Sequence, residues 1–491
     1  MFVGLFTSRI VLDSLGFSDY GIYNVVGGFV SMFSIVNAGL VAATQRYLTF
    51  DLGKGDINAL RKTFSIFIVI YLSLCLLVLV VSELCGGWFI SEKLTIPEDR
   101  LFAAKVVFQL SLFSLILTLL SNPFKALIIA HERMGTFAYI AIYEVCAKLV
   151  VAYLLYICSG DRLILYAILL CFISGTLPVL YAVYCKWNFK DEVRIHLYFD
   201  WTKIKEIYSF AGWTMLGSFA YMGFTQGLNM LLGMFFTPTV NAARGVAVQI
   251  QGVVLRFVTN FQTAVDPQIF KSFARGDIDY TLKLVTTSAR FSFFMLFFLS
   301  LPLMIESDQF LGFWLKDVPE YASVFLVLIL VTSMYDTITN PFAKAVQATG
   351  NIKYYSILGS GILILIVPIA YLVLKLGGNP PSVFVVHVII GGIVLCQRIV
   401  MAKTTLCFSY RAILSQLIIP IGKVIIFSIM LPIIFAVLLE PSVIRLLITC
   451  SLSVLSTIAS VWLFGITPNE RIIIKNKIIH YAYNSILKKR S

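Results

Sequence analysis

Ser121-Asn122-Pro123-Phe124-Lys125-Ala126 closes one long apolar run, and Thr339-Asn340-Pro341-Phe342-Ala343-Lys344-Ala345 closes another. The two motifs are offset by 340 − 122 = 218 residues. A second pair keeps nearly that offset: Gly53-Lys54-Gly55-Asp56-Ile57 returns as Ala274-Arg275-Gly276-Asp277-Ile278, and 277 − 56 = 221. Asn24-Val25-Val26-Gly27-Gly28 has a looser echo in Asn241-Ala242-Ala243-Arg244-Gly245. Three matches at almost one offset, in register with the apolar runs, define an internal repeat of six runs. Six is even, so both copies stand the same way up. Such parallel repeats are related by an axis along the membrane normal, with a substrate path between the halves.

The runs themselves leave one class of protein. Of 491 residues, 59% are hydrophobic and 13% charged, with a mean hydropathy of +0.91. Soluble proteins hold roughly 45–50% apolar and about 25% charged residues. A membrane span takes about 20 residues. Runs of that length recur from 20–40 through 101–129, 241–265 and 322–343 to 443–466. Met1 to Leu12 reads as the second half of a further span whose beginning is missing. The expectation is an all-α integral membrane protein of about 14 transmembrane helices, the first incomplete. Two pseudo-twofold six-helix lobes occupy 1–200 and 201–411, two additional helices 412–466, and a basic cytoplasmic tail 467–491. A soluble enzyme, a disordered chain and a nucleic-acid binder are excluded.

Charge placement sets the orientation. Alternate connections hold 24 Lys and Arg on one side and 7 on the other, so the positive-inside rule puts the first set, and both termini, in the cytoplasm. The nine cysteines lie almost all within apolar runs without a CxxC pair, and the four histidines are scattered. No metal site, disulfide or cofactor is expected from them. The tail Arg471 to Tyr481 reads as a basic amphipathic segment on the anionic inner leaflet.

Charges inside the runs are the candidate site. A charge at bilayer depth costs at least about 2.5–3.5 kcal/mol, so it faces protein or a wet cavity. Arg256 lies 15 residues beyond Asn241, about 22 Å along a helix, and is a candidate cavity residue. Lys105, Arg290 and Arg398 read as anchors near span ends. Glu144 and Lys148 are four apart and share a helix face, as a structural pair or as an ion-coupling carboxylate with its partner. Asp336 has no basic residue three or four positions away and is the first choice for ion coupling. Gln226 and Asn229 share a face and suit either sugar hydroxyls or helix–helix hydrogen bonds. Asn122-Pro123 and Asn340-Pro341 are either a paired hinge, or gate, or ordinary helix ends. Asp266-Pro267 reads as a cap or kink.

Three further segments carry a resemblance. Ser8-Arg9-Ile10-Val11-Leu12 with Asp19-Tyr20-Gly21-Ile22-Tyr23-Asn24-Val25-Val26-Gly27-Gly28, then Ala43-Thr44-Gln45-Arg46-Tyr47-Leu48, then Ala130-His131-Glu132, resemble bacterial polysaccharide (O-antigen and capsule-type) flippases. These belong to the multidrug/oligosaccharidyl-lipid/polysaccharide (MOP) exporter superfamily. The resemblance implies a V-shaped pair of six-helix lobes in the bacterial inner membrane. It implies transport of an undecaprenyl-diphosphate-linked oligosaccharide to the outer leaflet by alternating access. It also implies that Arg9, Arg46 and Arg256 bind the anionic cargo, and that a polysaccharide polymerase and a chain-length regulator are partners. No nucleic acid is implied.

Two other classes compete. A multidrug or toxic-compound cation antiporter of the same superfamily would favour an acidic cavity. A membrane polymerase or ligase would need an external catalytic platform, and the longest outer connection, Ser307 to Tyr321, holds no clustered acid–base set. No catalytic residue is assigned.

Overall fold

The computed structural model describes residues 34–88, 98–157, 160–194, 200–315, 317–406 and 408–472, with parts of 10–30 and Asn476. Among the described residues there is no strand. In lipid every backbone N–H and C=O must be paired within its own segment, and the α-helix does this.

The first half runs α1 Ser34–Lys54, α2 Ile57–Trp88, α3 Leu101–Ala130, α4 Met134–Ile157 and α5 Arg162–Asn188. Described residues between Ile10 and Val30 are also helical, interrupted at Gly16 by a left-handed φ of 76°. The second half runs α6 Trp201–Phe235, α7 Pro238–Ala274, α8 Ile278–Ile305, the short α9 Ser307–Trp314, α10 Ala322–Thr349, α11 Lys353–Ile364, α12 Ile366–Lys375 and α13 Ser382–Leu406. The last two spans are Tyr410–Leu438 and Val443–Gly465. The fold is that of two six-helix lobes followed by two further helices. Ten described helices are long and apolar enough to cross a membrane. The helices α1, α6 and α7 have 21, 35 and 37 residues and are more polar.

The chain packs as two compact units. One comprises Met1–Phe219, Asp266–Asp277 and Gly350–Ile357; the other comprises Ala220–Val265, Ile278–Thr349 and Leu358–Ser491.

The repeat is visible in the backbone. Gly55 and Gly276 end α1 and α7 in the left-handed region, with φ of 74° and 78°. Their amides donate to the carbonyls of Leu52 and Phe273. Glycine enters that region without the steric penalty of a Cβ, so the same turn follows the second helix of each half.

Several expected boundaries move. The helix that closes the run 20–40 continues beyond it, to Lys54. Hydropathy marks only the lipid-facing portion, whereas the helix goes on until Gly55 turns it. Pro123 and Pro341 lie inside α3 and α10, which run on to Ala130 and Thr349, so neither motif terminates its helix. Pro267 likewise sits inside α7 and caps nothing. Buried helices tolerate an interior proline where neighbouring groups satisfy the freed carbonyl.

Lipid tails are as apolar as leucine, so helices cohere through close packing and polar pairs. In the first unit Phe64, Phe67 and Tyr71 of α2 are fully buried. The second unit has Phe325 and Phe342 of α10, and a row of small hydroxyl residues, Thr449, Ser453, Thr457 and Ser460, on the last helix. Two ion pairs tie the last spans to the second lobe. Glu306, 1% exposed, accepts from Arg445 Nε at 3.0 Å, Arg445 Nη2 at 2.9 Å and Thr449 Oγ1 at 2.9 Å. Arg290 Nη2 lies 2.5 Å from Glu470 Oε1 and Nη1 donates to the Gln416 carbonyl. Arg290 is therefore a buried tie, not a snorkelling anchor.

Candidate functional site

The first unit holds a half-open chamber of about 790 Å³, whose wall is apolar at Val11, Val30, Leu115, Leu170 and Leu177 and polar along one helix. One face of α3 supplies Ser111, Ser114, Thr118, Ser121, Asn122 and Lys125 to its wall. Their spacing of three or four keeps them on one side of the helix. Across from them stand Glu144 and Lys148 of α4 and Tyr166, Ser174 and Tyr181 of α5, with Tyr23 completing the wall.

Glu144 and Lys148 pair as their spacing requires, with Lys148 Nζ 2.5 Å from Glu144 Oε1. The chamber thus holds two lysines against one glutamate. Lys125 forms no ion pair among the described residues; its ammonium lies 5.3 Å from the Phe137 ring centroid. Counting charges by connection assigns Lys125 to the loop 125–135, although the apolar run 101–129 contains it. With the helix continuous, it falls in the chamber. Its position three residues beyond Asn122, in register with the hydroxyl row, is the signal that could have found it. Asn122 lines the same chamber and donates from Nδ2 to Asn37 Oδ1 at 2.9 Å.

The second unit holds a smaller cavity of about 30 Å³, lined by Tyr221, Thr332, Asp336, Thr339, His387 and Arg398 among others. That is room for about two waters and not for a cargo. Asp336 is accordingly not alone in its span: Arg398 of α13 lines the same cavity and donates to Thr339 Oγ1 at 2.8 Å. Arg398 is thereby part of a polar cluster instead of a plain anchor. Sequence spacing reports partners on one helix only, and this one comes from another.

Arg244, within the repeat echo Asn241 to Gly245, is 8% exposed. It donates to Asn229 Oδ1 and to the Thr225 carbonyl, both at 3.0 Å. Asn229 is thereby engaged, whereas Gln226 is exposed. Asn340 donates to Gln262 Oε1 at 3.3 Å, and Gln262 in turn donates to Ser292 Oγ and the Thr337 carbonyl. The two asparagine motifs therefore make matching clasps, each to an amide on the second helix of its own half.

Of the three arginines assigned to cargo, Arg46 belongs to the first unit and Arg256 to the second. Arg9 lies outside the described residues. Arg46 is 5% exposed, with its guanidinium carbon 4.3 Å from the Tyr47 ring and 5.2 Å from that of Phe210. Gly350 lies directly against it: a Cβ there would stand 2.6 Å from Arg46 Nη2. Arg256 is exposed on α7, and the neighbouring Phe257 borders a separate groove of about 570 Å³. That groove is lined by Phe291, Phe294, Phe298 and Trp462 with almost no polar surface.

At the helix ends read as cytoplasmic, Glu132 takes a left-handed φ of 59° and accepts from Lys271 Nζ at 2.6 Å and Gln268 Nε2 at 3.2 Å. Burial pushes its carboxyl up, but these hydrogen bonds and the charges of Lys271 and Arg275 prevail and hold it below its ordinary value.

No protein-family model and no curated protein matches the sequence. Solved structures do share the fold. The MATE transporter ClbM in complex with Rb⁺ is 15% identical, covers 84% of this chain and 94% of its own, and superposes with a TM-score of 0.66. The Vibrio cholerae MATE transporter VcmN in its bent form is 15% identical, with coverages of 84% and 95% and a TM-score of 0.64. A MOP superfamily transporter from Pyrococcus furiosus, described as having a binding pocket of reverse polarity, is 12% identical, with coverages of 84% and 94% and a TM-score of 0.63. At these identities the likeness concerns the fold: that of MATE and MOP transporters.

Proposed function

We propose that this protein is a transporter that flips a lipid-linked oligosaccharide with an anionic head, of the undecaprenyl-diphosphate type, from the inner to the outer leaflet of a bacterial inner membrane. One observation carries the reading: the large intramembrane chamber is lined with hydroxyls and tyrosines and holds two lysines against one glutamate. Such a wall offers hydrogen bonds to sugar and positive charge to an anion. The apolar groove of Phe291, Phe294 and Trp462 has the chemistry of an isoprenoid chain. In this reading the exposed Arg256 meets the diphosphate, Asp336 in its water-sized cavity couples an ion, and Glu144 with Lys148 exchanges partners. The clasps at Asn122-Pro123 and Asn340-Pro341 flex at the cytoplasmic ends. Only unequal affinity for cargo in the two end states can drive the cycle.

The second reading is a multidrug cation antiporter. The shared fold with MATE transporters favours it, as do the Asp336 and Glu144 carboxylates. Purified protein in liposomes separates the two. Translocation of a fluorescent lipid-linked oligosaccharide without efflux of a cationic dye supports the flippase; the converse overturns it. Within the flippase reading, Arg256→Ala is expected to abolish export while membrane insertion persists.

A further inference from the structure

We infer that the chamber of the first unit is a binding site for an acidic sugar, with Lys125 as the group that selects its charge. The inference rests on the transport reading above and narrows the cargo to glycans carrying a carboxylate or phosphate on the ring that enters this chamber.

The charge argument comes first. Among the described residues Glu144 is the chamber's one carboxylate, and Lys148 already pairs with it at 2.5 Å. Lys125 stands 5.3 Å from the Phe137 ring centroid and feels the charge of Glu144, but makes no ion pair among the described residues. A half-buried cation without an ion pair is costly, and an entering anion offsets that cost. A carboxylate or a phosphodiester on Lys125 completes the balance, two positive charges against two negative, and a phosphate monoester exceeds it.

The hydroxyl row supplies the rest. Thr118 Oγ1 donates to the Ser114 carbonyl at 2.9 Å, and Ser121 Oγ donates to the Thr118 carbonyl at 2.7 Å. Their protons are committed to the backbone, so their oxygens are left as acceptors. A ligand that donates several hydrogen bonds and bears one anionic group fits this wall, and a hydroxylated sugar acid is that ligand. From Ser111 to Lys125 the row spans 14 residues, about 21 Å of helix. Tyr166 and Tyr181 offer rings on which the apolar face of a sugar can stack. The volume of about 790 Å³ is that of a ligand site instead of a packing gap.

The test uses the full-length protein in detergent, titrated with D-glucuronate, glucose 1-phosphate and D-glucose, with thermal stabilisation as the readout. Glucuronate or glucose 1-phosphate is expected to stabilise the protein and glucose not; which anion is stronger names carboxylate or phosphate. Lys125→Gln should weaken the anion response about tenfold or more, the scale of one charge-assisted hydrogen bond. Lys125→Arg should retain most of it, which separates charge from misfolding. Equal responses to glucose and glucuronate, or an unchanged response in Lys125→Gln, overturn the inference. Flipping assays keep the two readings apart. A wild-type protein that binds glucuronate but moves no lipid-linked glycan overturns the flippase and leaves the site standing. A Lys125→Gln protein that moves acidic and neutral glycans at wild-type rates overturns the site and leaves the flippase standing.

Discussion

Gly350 shows how much one missing Cβ can decide. Its φ of 81° belongs to glycine, and any side chain would stand on the Arg46 guanidinium. Gly350→Ala combines backbone strain with displacement of a buried cation and is expected to cost about 1 kcal/mol or more, read as a lowered unfolding temperature. Glu132 stands at the matching position of the first half, since 350 − 132 = 218. Its carboxyl is held below its ordinary value, so its contribution is complete above the unfolded value of about 4.3 and is lost as pH falls through the folded one. Thermal unfolding from pH 7 to pH 3 should therefore show wild type and Glu132→Gln converging below about pH 4. Little of this was legible in the sequence. Ala130-His131-Glu132 carried a family resemblance, but no periodicity discloses a left-handed glutamate or what a glycine touches.

At the scale of elements, helix existence was readable and helix ends were not. Apolar runs report residues in contact with lipid. The helices α1, α3 and α7 continue past them until a glycine, or the left-handed Glu132, turns the chain. Arg46, beyond the run 20–40, lies within α1 for this reason. The same mismatch made the Asn-Pro motifs look like ends, when they are interior clasps. Asn122→Leu leaves the Asn37 acceptor without its donor, and Asn340→Leu does the same to Gln262 Oε1. Each is expected to cost about 1 kcal/mol, consistent with interhelical hydrogen bonds in membranes. Because the clasps lie in different units, the double variant should show the sum in thermal unfolding.

For the whole molecule, the six-span repeat carried the architecture, and the twin glycine turns at Gly55 and Gly276 are its backbone signature. Pairings between distant helices stayed hidden: Asp336 and Arg398 on one cavity, Arg290 with Glu470, Glu306 with Arg445. Such partners depend on which helix faces come together, and a single sequence gives each face without its neighbour. The buried Glu306–Arg445 pair yields the strongest stability forecast. Arg445→Ala strands the buried Glu306 carboxylate and should cost about 3–5 kcal/mol, whereas a joint Glu306→Leu, Arg445→Met replacement should recover most of it. Unfolding of the purified variants in micelles checks both.

The matching positions Glu132 and Gly350 also bear on how the two halves descend from a common unit. A chain rebuilt from two copies of the second half would carry glycine at both positions and leave the lysine at position 271 without its acceptor. One rebuilt from two first halves would drive a carboxylate side chain into the aromatic cage around Arg46. Duplication laid down the frame, and this one pair of sites has since made its halves non-interchangeable.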